Sequence, residues 1–155
     1  YPPAPLYQTN PTVFRDDTTS AFLKLRNSFI DSCRVYLDIV KDFSPNQHAL
    51  IPSGCGAWVY KGWKSLDVEI SNPWHHHNPA YLSGVYYLSL PTSDCGTVFA
   101  DPRVAEAHSM RQQSIVPREY SWAIFRGWLP HQSNRAESET PRYVVAANLY
   151  VSVLF

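Results

Sequence analysis

Three consecutive histidines, in the stretch NPWHHHNPAYLSGVYYLSLP, are the side chains of this chain whose spacing is best suited to chemistry. In an extended strand, residues two apart point to the same face, so His75 and His77 would point one way and His76 the other. Two imidazoles on one face can bind a divalent metal if a third ligand comes from elsewhere. His131, which follows an aromatic strand and precedes polar residues, is the best placed. The pattern alone leaves two interpretations open: a metal site, or structural or solvent-exposed histidines with the same spacing.

The composition excludes several classes of protein. The 155 residues include 13 basic and 13 acidic side chains, so no net charge favours nucleic acid or an anionic membrane as partner. No apolar run approaches the roughly 18 residues of a membrane helix. The three cysteines, Cys33, Cys55 and Cys95, form neither a disulfide framework nor a zinc motif. We therefore expect one domain, residues 1–155, in the reducing cytoplasm.

The elements that would position the histidines are one helix and a series of short strands. Residues 1–18 read as an extended, proline-rich lead-in, and residues 19–43 as a helix, because apolar side chains recur at three- and four-residue steps. Short β-like runs then occur near 56–60, 66–70, 82–90, 96–100, 113–116, 121–126 and 142–153. This order predicts a mainly β sandwich or barrel with one N-terminal amphipathic helix packed outside.

Four sequence blocks resemble the Fe(II)/2-oxoglutarate-dependent oxygenases in the same order. They are HHHNPAYLSGVYYL, GTVFADPR, PREYSWAIFRGWLPHQS and RYVVAANLY, and they lie within residues 56–153. The similarity extends to prolyl-hydroxylase-like enzymes and is nearest to a small group of such oxygenases from phages and bacteria. It implies that residues 56–153 form a double-stranded β-helix, a jelly-roll or cupin-like barrel with iron at one mouth.

The resemblance also assigns roles to individual residues. His75 matches the first histidine of the metal triad, and His131 matches the distal one. Arg142, 11 residues after His131, matches the arginine that pairs with the far carboxylate of 2-oxoglutarate. Tyr86 matches a tyrosine that shares this carboxylate, and Asn148 matches an asparagine near the end of the last strand. The resemblance thus implies that Arg142, Tyr86 and Asn148 bind the cosubstrate.

The chain departs from the family at the acidic metal ligand. Where the H-x-D motif has its carboxylate, this sequence has His77. His77 is itself a ligand in the interpretation that we favour, which gives a three-histidine site. Alternatively, Asp101 supplies the carboxylate from a later strand, or two histidines bind the metal together with an anion.

The implied activity is oxidation by O2 with Fe(II) and 2-oxoglutarate, releasing succinate and CO2. Hydroxylation of a small-molecule or amino-acid-like substrate is expected, with no nucleic-acid or membrane partner. Trp74 and Trp128 flank the proposed ligands and Arg126 precedes the His131 loop, so these three are candidates for the substrate pocket. Two alternatives are a three-histidine iron dioxygenase of the same fold without 2-oxoglutarate, and a non-catalytic β-sandwich that binds a partner.

Overall fold

The computed structural model describes residues 6–8, 16–41, 48–61, 74–91, 96–103, 111–134 and 141–153. The described helix is α1 (Ser20–Val40). The described strands are β1 (Leu6–Gln8), β2 (His48–Lys61), β3 (Leu82–Ser89), β4 (Thr97–Ala100), β5 (Gln112–Ser114), β6 (Ser121–Arg126), β7 (His131–Ser133) and β8 (Pro141–Val153). In these ranges no helix is both long and apolar enough to cross a bilayer. The strand predicted at 66–70 lies outside the described residues.

The described strands form two antiparallel sheets. The major sheet has the order β1-β2-β8-β3-β6, and the minor sheet has the order β5-β4-β7. An isolated bridge between His75 and His131 ties the histidine segment to β7 at the edge of the minor sheet. The prediction of a mainly β fold is confirmed, with two antiparallel sheets and one described helix.

Helix α1 packs against the major sheet through one face. Phe29, Cys33 and Leu37, spaced by four residues, are buried on this face. The Phe29 ring lies 4.9 Å from the Trp122 ring of β6. Trp122 Nε1 also donates a hydrogen bond of 3.0 Å to Ser28 Oγ. The helix ends at Lys41, whose left-handed backbone (φ 54°) lets its N–H donate to the Leu37 carbonyl, within the range predicted for the helix.

The two faces of the major sheet differ in chemistry because side chains alternate along each strand. The face that meets α1 carries a cluster of buried apolar side chains: Leu82, Val145, Ala147 and Leu149. The opposite face, which we call the cavity face, carries Ser83, Tyr87, Arg142, Val144 and Asn148, all of them buried. From the major sheet, a site between the two sheets can therefore draw only on the cavity face.

Three strand boundaries differ from those expected. β2 begins at His48 rather than near residue 56, and it pairs with β8 along most of its length. β1 pairs with β2, so part of the predicted lead-in belongs to the sheet. β7 has no counterpart among the predicted strands. It follows a proline and has three residues, which is too short for an alternating pattern to show in the sequence. Each of these boundaries depends on pairing with a partner strand that is distant in sequence.

Candidate metal centre

Three histidine side chains converge between the sheets. One ligand atom each of His75, His77 and His131 lies within 4.8 Å of the others. The ring centroids are 4.3 Å apart for His75 and His131, 4.9 Å for His75 and His77, and 5.0 Å for His77 and His131. Imidazole nitrogens bind divalent metals at about 2.0–2.1 Å, so small side-chain rotations suffice for one ion to contact all three.

Backbone hydrogen bonds hold the histidine segment in this position. His75 and His131 exchange two bonds of 3.0 Å, N–H to carbonyl in both directions. The His77 N–H donates to the Gly127 carbonyl at 2.7 Å, in the turn after β6. A Cβ on Gly127 would lie 2.0 Å from the Ala80 carbonyl oxygen, so only glycine fits where this turn approaches the histidine segment.

His131 is held in one tautomer. Its Nδ1 lies 2.8 Å from the Leu129 carbonyl oxygen, which can only accept, so Nδ1 carries the proton and Nε2 is left for a metal. The Phe125 ring packs against the imidazole with centroids 4.6 Å apart. His131 is 3% exposed, so its orientation is fixed by packing as well as by the hydrogen bond.

Two of the imidazoles are neutral at physiological pH. Burial lowers the pKa of His131 to about 4, with repulsion from His75 in the same direction and the Leu129 hydrogen bond opposing it. Burial lowers the pKa of His77 to about 4 as well, and His75 again adds to the shift. Metals bind the neutral form of histidine, so His77 and His131 can bind a metal without first losing a proton.

Neither His76 nor Asp101 belongs to the cluster. His76 is exposed, and its Nδ1 accepts a long hydrogen bond of 3.4 Å from the Asn78 N–H. The Asp101 carboxylate pairs with Arg103, at 2.7 Å from Nη2 and 2.9 Å from Nε. These hydrogen bonds lower the pKa of Asp101 to about 2. The alternative in which Asp101 supplies the metal's carboxylate stays a prediction, since in this structure the carboxylate pairs with Arg103.

A cavity of about 350 Å³ adjoins the histidine cluster. All three histidines line it together with Arg142, which is 5% exposed and lies on the cavity face of β8. Arg142 Nη1 lies 3.4 Å from the Asn134 carbonyl oxygen. Its guanidinium stays protonated at any physiological pH. The cavity thus combines a cluster of metal-binding side chains with a fixed positive charge.

Tyr87, and not Tyr86, lines this cavity. Tyr86 points to the opposite face of the major sheet and packs on Trp122, with centroids 5.1 Å apart. The Tyr87 hydroxyl lies 2.7 Å from Thr97 Oγ1, and both residues line the cavity. Burial raises the pKa of Tyr87, although Thr97 and Arg142 act against the shift. The sequence analysis expected Tyr86 at this position, whereas the cavity is lined by Tyr87 and Thr97, which it did not name.

Asn148 lies on the cavity face but not on the cavity wall. It is 6% exposed, and its Oδ1 accepts a hydrogen bond of 2.8 Å from the buried hydroxyl of Ser83. Contact with a cosubstrate remains a prediction for Asn148. The hydrogen bond links β3 and β8 on the side of the sheet that faces the site.

The three predicted substrate-pocket residues do not lie together. Trp74 is 39% exposed beside His75, whereas Trp128 is 48% exposed and lines a different groove, between β5 and β6. The Arg126 guanidinium stacks 4.8 Å above the Tyr81 ring and 5.8 Å above the Tyr36 ring of α1. Arg126 therefore lies on the helix side of the sheet, and its assignment to the substrate pocket stays a prediction.

Comparisons with known proteins agree with the fold and the cluster. Residues 63–148 match the sequence profile of the family described as "Putative 2OG-Fe(II) oxygenase". No curated protein sequence matches the chain.

Solved structures with the same fold include three from different organisms. A prolyl hydroxylase from Trichoplax adhaerens, in complex with a hypoxia inducible factor peptide fragment, is 17% identical with a TM-score of 0.57. AviO1 from Streptomyces viridochromogenes Tue57 is 10% identical with a TM-score of 0.59, and a Pseudomonas putida prolyl-4-hydroxylase is 12% identical with 0.52. Each alignment covers 94% of this chain, but 61%, 66% and 70% of those chains, respectively.

Proposed function

Since the chain belongs to the 2OG-Fe(II) oxygenase family, we propose that it is an Fe(II)- and 2-oxoglutarate-dependent dioxygenase that hydroxylates a small-molecule or amino-acid-like substrate. The observation that carries this proposal is the joint presence of the histidine cluster and the buried Arg142 in one cavity. A metal ligand set and an anion-binding group are the two features that the cosubstrate needs.

The histidine cluster suits iron in its chemistry. His75, His77 and His131 would be the ligands, and the neutral forms of His77 and His131 favour binding. Bound together, iron and 2-oxoglutarate supply the activation of O2, which the side chains of the protein cannot. The protein's own contribution is to hold the imidazoles in place and to limit the access of water through the packing of Phe125 on His131.

Arg142 would bind the far carboxylate of 2-oxoglutarate. A planar guanidinium donates two parallel hydrogen bonds to a carboxylate, and its burial strengthens the attraction. Tyr87 and Thr97 line the same cavity and can add hydroxyl donors to this end of the cosubstrate. Histidine ligands would add no negative charge to the iron, so the dianionic cosubstrate would offset its double charge.

A second candidate function follows from the composition of the cluster. Non-haem iron oxygenases usually bind the metal with two histidines and one carboxylate. Among the described residues, the cluster contains three histidines and no carboxylate. This favours an iron dioxygenase of the same fold that works without 2-oxoglutarate, in which Arg142 would serve another anion.

Anaerobic titration of the metal-free protein tests both candidates. Fe(II) is added first and 2-oxoglutarate second, while the visible absorption is followed. A charge-transfer band that requires both additions supports the 2-oxoglutarate-dependent enzyme. Bound iron without such a band supports the second candidate, and the absence of iron binding contradicts both. The His131→Ala variant should show no band, whereas His76→Ala, altered at the exposed neighbour, should keep it.

A further inference from the structure

A second and larger concave surface lies between the two sheets; the histidines do not line it, but it shares Tyr87 and Phe125 with the histidine cavity. This groove, of about 1060 Å³, runs between β5 and β6 and extends to Trp128 and Leu129 in the turn before β7. We propose that it docks an extended, acidic segment of a partner polypeptide, which adds as a strand to the open edge of β6. This inference does not depend on iron or 2-oxoglutarate.

The edge of β6 is unusual among the described strand edges. In the described part of the major sheet, β6 pairs with β3 alone and lies at the end of the sheet. The other edge strands, β1, β5 and β7, are three residues long, whereas β6 has six. Its sequence SWAIFR is apolar in the middle and lacks the proline or lysine that usually protects an edge. Such an edge is suited to pairing with another strand.

The hydrogen-bonding pattern directs backbone groups of β6 into the groove. The Gly127 N–H donates to the Tyr81 carbonyl, so these two opposite residues form a hydrogen-bonded pair of the antiparallel ladder. Hydrogen-bonded pairs recur at every second residue of an antiparallel ladder. Ala123 and Phe125 therefore direct their N–H and C=O groups towards β3, and Ile124 directs its own groups away from β3. Ile124 lines the groove, so a strand lying there would meet its N–H and C=O.

The side chains that line the groove favour apolar and acidic residues in the partner segment. The interior is apolar, with Phe99, Ala123 and Phe125 among the lining residues, and Val116 at its margin is 79% exposed. Three exposed arginines line the groove: Arg103, Arg111 and Arg118. Asp101 is the acidic residue among the lining residues, and Arg103 already neutralises it. The remaining positive charge favours glutamate or aspartate side chains on the partner.

The size of the groove also favours a polypeptide. Small-molecule sites commonly have volumes of about 300–1000 Å³, which this groove reaches or exceeds. A strand paired along the six residues of β6 would extend about 20 Å. Phe99 and Phe125, with ring centroids 5.0 Å apart, lie between the groove and His131. Because these rings separate the groove from the metal cluster, docking can be tested apart from catalysis.

A model peptide tests the proposal directly. We would use a fluorescein-labelled octapeptide of alternating Glu and Val, and measure its binding by fluorescence anisotropy. We expect saturable binding with a Kd below about 1 mM that weakens as salt is raised. Arg111→Glu with Arg118→Glu should weaken binding at least about tenfold, as expected for a reversal of two charges near the ligand. Arg34→Glu, at an exposed position of α1, is the matched control and should bind as the unmodified protein does.

Two further measurements separate strand addition from charge attraction alone. Hydrogen exchange of the Ile124 amide should slow when the peptide binds, because that N–H gains a partner. A peptide with N-methyl groups on alternate residues, in the register that faces β6, should not bind. Equal binding of the N-methylated peptide, unchanged exchange at Ile124, or no binding at about 1 mM would overturn the proposal. Binding only after residues 104–110 are replaced by a Gly-Ser linker would overturn it too.

Discussion

On the face of the major sheet that meets α1, the buried side chains of the core are apolar, as at Leu82, Val145 and Leu149. On the cavity face, a few ångströms away on the same strands, Ser83 and Arg142 are buried although they are polar or charged. Burial of polar groups costs free energy unless they are hydrogen-bonded or paired, whereas apolar burial is favourable. The contrast indicates that the helix face stabilises the fold, and it supports our proposal that the cavity face binds a ligand.

The largest effect is expected when the cavity side loses one of its histidines. His131→Ala removes a proposed ligand. Loss of a group that only hydrogen-bonds to a metal ligand lowers metal affinity by roughly 10- to 100-fold, so the loss of the ligand itself should lower iron affinity by more. Iron bound per chain after anaerobic reconstitution and desalting measures this. His76→Ala is the control and should retain iron. Equal retention of iron by the two variants would contradict the ligand assignment.

A substitution on the helix face should lower the free energy of unfolding and leave iron binding unchanged. Phe29→Ala creates a cavity beneath Trp122 and should lower the free energy of unfolding by about 3–5 kcal/mol. Urea denaturation of the metal-free protein measures the change. Val35→Ala, on the exposed side of α1, should change it by no more than about 0.5 kcal/mol. If Phe29→Ala abolished iron binding while the protein remained folded, the separation of the two faces would be wrong.

Acid should lower the stability of the metal-free protein through the buried histidines of the cluster. Burial lowers the pKa of His77 and His131 to about 4, against 6.5 for an ordinary histidine. Between pH 6.5 and pH 4 the unfolded chain therefore binds more protons than the folded chain, so stability falls as the pH falls through this range. The Tm of the metal-free protein should be lower at pH 5 than at pH 7. The double variant His77→Gln, His131→Gln should show a smaller difference, and an unchanged Tm in the unmodified protein would refute the assignment.

The smallest expected effect compares two adjacent tyrosines on opposite faces of β3. Tyr87→Phe removes the buried hydrogen bond to Thr97 and should cost about 1 kcal/mol of stability. It should also weaken the binding of 2-oxoglutarate by the iron-loaded protein. Tyr86→Phe keeps the ring contact with Trp122 and should change neither quantity appreciably. Weaker 2-oxoglutarate binding in Tyr86→Phe alone would restore the assignment made from the sequence.

Local sequence patterns predict much of the fold. The three- and four-residue spacing of apolar side chains predicts α1, because a helix must bury a continuous stripe. Several strands lie close to the predicted ranges, among them β3 and β6. The spacing of His75 and His77 also predicts that these side chains share a side while His76 points away, as the structure shows. Metal binding by the cluster remains a prediction.

The face of a strand residue is harder to predict than the strand itself. Alternation requires that one of Tyr86 and Tyr87 faces inwards, but the pairing of β3 with β8, 60 residues away in sequence, decides which one. The face on which Arg126 lies is likewise decided by the pairing of β6 with β3. Asp101 forms an ion pair with a residue only two positions away, an interaction that its sequence context DPR had left open.

Two arginines on opposite faces of the major sheet give the most direct test of this account. The measurement is the anaerobic titration of the iron-loaded protein with 2-oxoglutarate, followed by the charge-transfer band, for Arg142→Gln and Arg126→Gln. We predict that Arg142→Gln weakens 2-oxoglutarate binding by about 100-fold. This corresponds to about 2.7 kcal/mol of binding free energy, as expected when a buried carboxylate loses its charged partner. Arg126→Gln, altered where the guanidinium stacks on Tyr81 and Tyr36, should bind 2-oxoglutarate as the unmodified protein does. Equal affinity in the two variants would contradict the assignment of the cosubstrate to the cavity face.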